Sequence, residues 1–252
     1  MSAMLDGRVA LVTGASAGLG WQFARVLAKH GASVVLAARR SAELDSLAAE
    51  IEGAGGRALA YPLDVADASA IPGAFDAAER MFSTVDILVN NAAVVDADYA
   101  TRLSLETIDL VLAVDFRAPF LLATEAARRL MAADKPGRIV NMSSVGAFHY
   151  TSTSAAPLYC SVKAGIIRMT EALAIEWARY GINVNAIAPG MFESEMTGGF
   201  IERVGDKVRE GFPRGRFGDP SFLDSTLLYL VDPASHFVTG TCITVDDAQT
   251  GR

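Results

Sequence analysis

The chain has 252 residues, a length that suits one large α/β domain better than two small ones. Hydrophobic residues make up 51% of it, enough for a substantial core, yet no apolar run approaches the roughly 18 residues that a membrane helix needs. The formal net charge is −7, from 22 basic and 29 acidic residues without a basic cluster, which argues against nucleic-acid binding.

Near the start, Asp6 and Arg8 interrupt the sequence, so no secretory leader is read. Residues 8–13 form a short apolar run that reads as a buried strand. Gly14, Ala15, Ser16, Ala17, Gly18, Leu19 and Gly20 follow directly, and 21–30 has helical apolar spacing that stops at Gly31. A glycine-rich turn between strand and helix lets the backbone approach a pyrophosphate, and the helix N-terminus supplies free N–H groups. The spacing is G-x-x-x-G-x-G rather than the commoner G-x-G-x-x-G, and a plain strand–helix turn is the alternative. The second strand, 33–38, ends at Ala38, where a carboxylate would hold the ribose of NAD. Arg39 and Arg40 come next, and a guanidinium there can grip a 2′-phosphate. The expectation is therefore NADP(H) over NAD(H), against the plainer reading of a solvated helix flank.

Further strands are expected at 57–63, 85–90, 137–143, 182–187 and 241–246, with helices between them, including long ones at 104–133 and 157–180. The alternation predicts a single domain, 1–252, with a doubly wound parallel sheet of about seven strands and helices on both faces. Ligands in such folds bind beyond the carboxyl ends of the strands, where Asn91, Ser144 and Pro189 fall. On the helix at 157–180, Tyr159 and Lys163 stand four residues apart and share a face. A phenol titrates near 10 and is a poor acid–base group at neutral pH, but a neighbouring ammonium favours its anion. With Ser144 approaching from a loop, the set suits proton transfer to or from an alcohol or carbonyl oxygen. Cys160 points about 100° around the helix from Tyr159 and reads as packing. With Cys242 it makes only two cysteines, which fits a reducing cytoplasm. His30, His149 and His236 lack metal-ligand spacing.

Taken in order, these pieces resemble the short-chain dehydrogenase/reductase family, from Arg8 to about Asp246. The turn at 13–20 looks like its cofactor turn, Asp64 and Val65 like its adenine-contacting pair, and Asn90, Asn91, Ala92 and Ala93 like its Asn-Asn-Ala-Gly signature. Pro189 and Gly190 resemble the turn that cradles nicotinamide, with Phe192 beside it, and Ser194 stands where relatives carry a cofactor-contacting Thr. The resemblance implies a hydride-transferring enzyme in which Tyr159 moves the proton. Lys163 would lower the Tyr159 pKa and hold the nicotinamide ribose, and Ser144 would hold the substrate oxygen. Asp115 replaces an Asn that the family uses to hold a relay water. Its charge beside Lys163 would raise the Tyr159 pKa, unless the side chain faces solvent at a helix kink. The tail Asp246, Asp247, Ala248 departs from the family's Asp-Gly-Gly and is expected to be structural.

Two segments are expected to line the substrate pocket. One lies between Ser144 and Tyr159 and includes Val145, His149 and Tyr150; the other, 191–212, includes Met191, Met196 and Phe200 and would act as a glycine-hinged lid. Their apolar character points to an apolar or aromatic ketone or its alcohol as the small-molecule partner. The apolar excess of the two long helices, which form subunit interfaces in the family, points to a homo-oligomer, a tetramer or dimer. A 3-oxoacyl-thioester reductase is the close alternative; a cofactor-binding scaffold or sensor that has lost catalysis is the alternative from another class.

Overall fold

The computed structural model of the chain describes residues 3–96, 98–150 and 155–250, without the side chains of residues 196, 199, 200, 201, 203, 204 and 206. Seven parallel strands make one sheet: β1 Val9–Thr13, β2 Ser33–Ala38, β3 Arg57–Pro62, β4 Ile87–Asn90, β5 Gly137–Met142, β6 Ile182–Pro189 and β7 Cys242–Val245. Their order across the sheet is β3-β2-β1-β4-β5-β6-β7. β1, β2, β4, β5 and β6 are buried along their whole length, as a parallel sheet covered on both faces requires.

The strand period of two divides the core between the faces. Ala10 and Val12 of β1 pack into one layer with Phe23, Leu27, Leu227 and Leu230. Val9 and Leu11 pack into the other with Phe75, Leu122 and Trp177. The helices are α1 Gly18–Lys29, α2 Ser41–Gly53, α3 Ile71–Met81, α4 Leu105–Leu112, α5 Ala118–Ala132, α6 Pro157–Trp177, α7 Glu195–Glu210 and α8 Asp224–Val231. α1 and α8 cover the first layer, and α3, α5 and α6 the second.

Three expectations change in detail. The first helix starts at Gly18, so the end of the glycine turn is already its first turn. The helix expected at 104–133 is three pieces: α4, a π-helical turn at Ala113–Arg117, and α5. The expected glycine-hinged lid is largely the regular helix α7, started by a Ser194–Thr197 capping box. Among the described residues no helix is long and apolar enough to cross a membrane.

Candidate active site

From β1 the sheet grows outward in both directions, so the connections after β1 and after β4 leave on opposite faces and open a crevice between them. A cavity of about 640 Å³ lies there, within the rough 300–1,000 Å³ range of ligand pockets. Gly14, Ser16, Ala17, Gly18 and Leu19 form one end, with Ala38, Arg39, Arg40, Asp64 and Val65 beside them. Asn91, Ala92, Ala93, Ser144, Tyr159, Lys163, Pro189, Gly190, Phe192 and Ser194 continue it.

The glycine turn fits a pyrophosphate on its own geometry. Gly14 and Gly18 hold positive φ angles of 67° and 55°. A Cβ on Gly14 would stand 2.8 Å from Asn91 Nδ2, and one on Gly20 would run into the Gly14 carbonyl. The turn is also tied from beneath. The buried Thr13 hydroxyl accepts from the Asn91 and Ala92 N–H groups at 3.0 and 3.1 Å. Asn91 Nδ2 donates to the Thr13 carbonyl at 2.9 Å. The Asn91 side chain therefore fixes the shape of the turn, and its backbone faces the cleft.

Opposite the turn, Tyr159 lies in the first turn of α6 and Lys163 one turn on, its Nζ 5.3 Å from the Tyr159 ring centroid. The Lys163 ammonium is buried, donates to the Met142 carbonyl at 3.1 Å and lies 3.1 Å from Asp115 Oδ2. That second approach has ion-pair distance without hydrogen-bond alignment. Asp115 is fully buried in the π-helical turn, and its Oδ1 accepts from the Val94 N–H at 2.8 Å. The solvent-facing alternative for Asp115 is thereby ruled out. Burial pushes the Asp115 carboxyl above the usual carboxylate range, against the pull of Lys163. Burial likewise pushes the Tyr159 phenol above its ordinary 10.0. Lys163 pulls it down and Asp115 pushes it up, as expected of each, and a Ser144 hydrogen bond also pulls it down; burial decides the direction. Ser144 caps a 3-10 turn, its Oγ accepting from the Gly146 N–H at 3.1 Å.

Val145, His149, Tyr150 and Met191 do not line the cavity, and His149 and Tyr150 are exposed. The side chains of Met196 and Phe200, and residues 151–154 of the loop before Tyr159, lie outside the described residues. Ser194 lines the cleft, but its hydroxyl is used as the α7 cap, 3.1 Å from the Thr197 hydroxyl.

Sequence reasoning missed Asp96. It is fully buried, and its carboxylate accepts from the Tyr159 N–H at 2.7 Å and the Leu158 N–H at 3.1 Å. The N-cap residue of α6, Ala156, has no side-chain oxygen, so Asp96 supplies the missing cap from a distant loop. Glu195, on the cleft wall, was missed as well.

A glycine turn at a sheet switch point, facing a Ser–Tyr–Lys cluster, defines the class of nicotinamide-dependent oxidoreductases on a doubly wound fold. Residues 14–248 match the family described as enoyl-(acyl carrier protein) reductase. A 3-oxoacyl-acyl-carrier-protein reductase of Thermotoga maritima is 34% identical, over 96% of this chain and 97% of its own. A short-chain dehydrogenase/reductase structure from Mycobacterium marinum aligns with a TM-score of 0.94 at 32% identity, covering 98% of this chain and 97% of that one. A putative 2-deoxy-D-gluconate 3-dehydrogenase from Agrobacterium tumefaciens, solved with bound NADP, aligns at 0.88 and 36% identity over 98% of both. The chain belongs to the short-chain dehydrogenase/reductase family and is an NAD(P)-dependent oxidoreductase of small molecules.

Proposed function

We propose that the protein is an NADP(H)-preferring carbonyl reductase that interconverts a ketone and a secondary alcohol, with Tyr159 as the proton donor and acceptor. The observation that carries the reading is the placement of Tyr159 on the cavity wall together with Ser144 and with Lys163, whose Nζ is 5.3 Å from the Tyr159 ring centroid. The Ser144 hydroxyl holds the substrate oxygen. Tyr159 gives its proton to that oxygen as negative charge develops, and Lys163 replaces the lost charge balance by standing next to the phenolate. Asp115 holds Lys163 in place by its ion pair. A nicotinamide bound between Pro189, Gly190 and Tyr159 would supply the hydride. The 2′-phosphate preference rests on Ala38, Arg39 and Arg40 at the end of β2 and is supported by the NADP-bound relative.

An apolar or aromatic ketone suits the Val94, Val95 and Val114 side of the cleft, with α7 closing over it. A 3-oxoacyl thioester is the second reading, favoured by the likeness to the Thermotoga maritima reductase. A homo-oligomer in the cytoplasm completes the proposal; Cys160 and Cys242 are free thiols, and burial pushes Cys242 up to about 11.

The test is NADPH oxidation by purified protein against aliphatic, cyclic and aryl ketones, β-keto esters and a 3-oxoacyl thioester. Tyr159→Phe should lower turnover by at least about a hundredfold while NADPH still binds. Unchanged turnover in that variant would remove Tyr159 from the chemistry. A wild-type protein that binds NADPH and reduces nothing would favour the sensor reading.

A further inference from the structure

Arg40 has a partner that its expected role does not need. Its Nη1 donates to Glu195 Oε1 at 3.1 Å and its Nη2 to Oε2 at 2.8 Å, a bidentate pair. Nε and Nη2 also donate to the Ser16 hydroxyl at 3.2 and 3.0 Å. One guanidinium therefore joins the cofactor turn to the first turn of α7. The two helices meet closely there: a Cβ on Gly18 would lie 3.3 Å from Ser194 Cβ.

We propose that Glu195 is a cofactor-selectivity residue: its carboxylate occupies the Arg40 fork that a 2′-phosphate would use, and so weakens NADP(H) binding relative to NAD(H). The proposal rests on the reading of the cleft as a dinucleotide site with its 2′-phosphate end at Arg39 and Arg40. A bidentate carboxylate and a phosphate present the same acceptor pattern to a guanidinium, so the two compete for it. A second carboxylate is also near Arg40: Glu43 Oε1 lies 3.8 Å from its Nε. A phosphate dianion entering there must displace Glu195 from Arg40 and meet its negative charge at close range. An unphosphorylated ribose leaves the pair intact. The hydrogen bond to Arg40 holds the Glu195 carboxyl below its usual range, so it is ionised throughout neutral pH. α7 should accordingly stay strapped to the turn with NAD(H) bound and be released at its first turn by NADP(H).

Fluorescence titration of NADPH and of NADH into wild type, Glu195→Gln, Arg40→Ala and the double variant, at one fixed low salt concentration, tests this. Glu195→Gln should tighten NADPH about tenfold and change NADH by less than about twofold, from loss of one charge beside a dianion. In the Arg40→Ala background the same change should give about threefold or less, because the two residues act on one phosphate. A Glu195→Gln variant with an unaltered NADPH-to-NADH ratio overturns the proposal and leaves the dinucleotide reading standing. Arg40→Ala with undiminished NADPH affinity overturns the phosphate assignment and the proposal together. Wild-type protein that binds neither nucleotide overturns the reading of the cleft itself.

Discussion

Asparagine at position 115 would keep the acceptor for the Val94 N–H and remove the charge beside Lys163. The sign of its effect follows from the directions at Tyr159. Asp115 raises the phenol, so its neutralisation lowers it. In the reductive direction the donor must be protonated, and the alkaline limb of the pH–rate profile of Asp115→Asn should fall at lower pH than in wild type. In the oxidative direction the base must be ionised, and the rising limb should move the same way. A profile that does not move, measured with one substrate in both directions, would show that Asp115 does not reach Tyr159 electrostatically. Ser144, Tyr159 and Lys163 were legible in the sequence because one helical turn fixes the Tyr–Lys pair. Asp96 was not, because it acts on the Leu158 and Tyr159 backbone amides, which leave no mark on side-chain spacing. The Arg40–Glu195 pair joins residues 155 apart in the chain and leaves no local pattern either.

At the scale of elements, strands could be read because burial on both faces demands unbroken apolar runs. The π-helical turn within 104–133 could not, since its extra residue per turn alters hydrogen bonding without altering composition. Asp115, which stands 3.1 Å from Lys163, lies in that turn. The tail after β7 carries the clearest local strain. Asp247 and Ala248 hold φ angles of 50° and 62°, the left-handed region that glycine tolerates and that the family's Asp-Gly-Gly would meet without cost. Asp246 accepts from the Ala248 N–H at 3.2 Å and the Thr250 N–H at 3.1 Å, and Gln249 Oε1 from the Met191 N–H at 2.6 Å. The tail thus ties down Met191, in the segment between β6 and α7, a structural part like the one expected of it. Ala248→Gly should stabilise the protein by roughly 1 kcal/mol, about 2–4 °C in Tm. Asp247→Gly should bring no net gain, because it gives up ion pairs to Arg214 at 3.2 Å and Arg216 at 2.7 Å. Calorimetry of the two variants side by side would expose any error in assigning the strain.

For the molecule as a whole, the stripe Leu105, Leu112, Phe116 and Phe120 along α4, the π-helical turn and α5 remains exposed in a single chain, Leu105 to 71%. Apolar residues repeated along one helical face want a cover, and a second copy of the chain is the proposed one. Wild type should sediment as a dimer or tetramer at micromolar concentration, and Leu112→Glu with Phe116→Glu should leave monomers; a monomeric wild type would refute the interface. The sheet order has a further consequence, set in the time of synthesis. β1 finds its second neighbour only when Ile87 pairs with Ala10, and the Lys163 side of the cleft follows later still. A chain emerging N-terminus first exposes the glycine turn long before the walls that make it a binding site. Dinucleotide in the cell therefore cannot guide the early half of the chain; it can only capture molecules that have already closed the long β1–β4 loop.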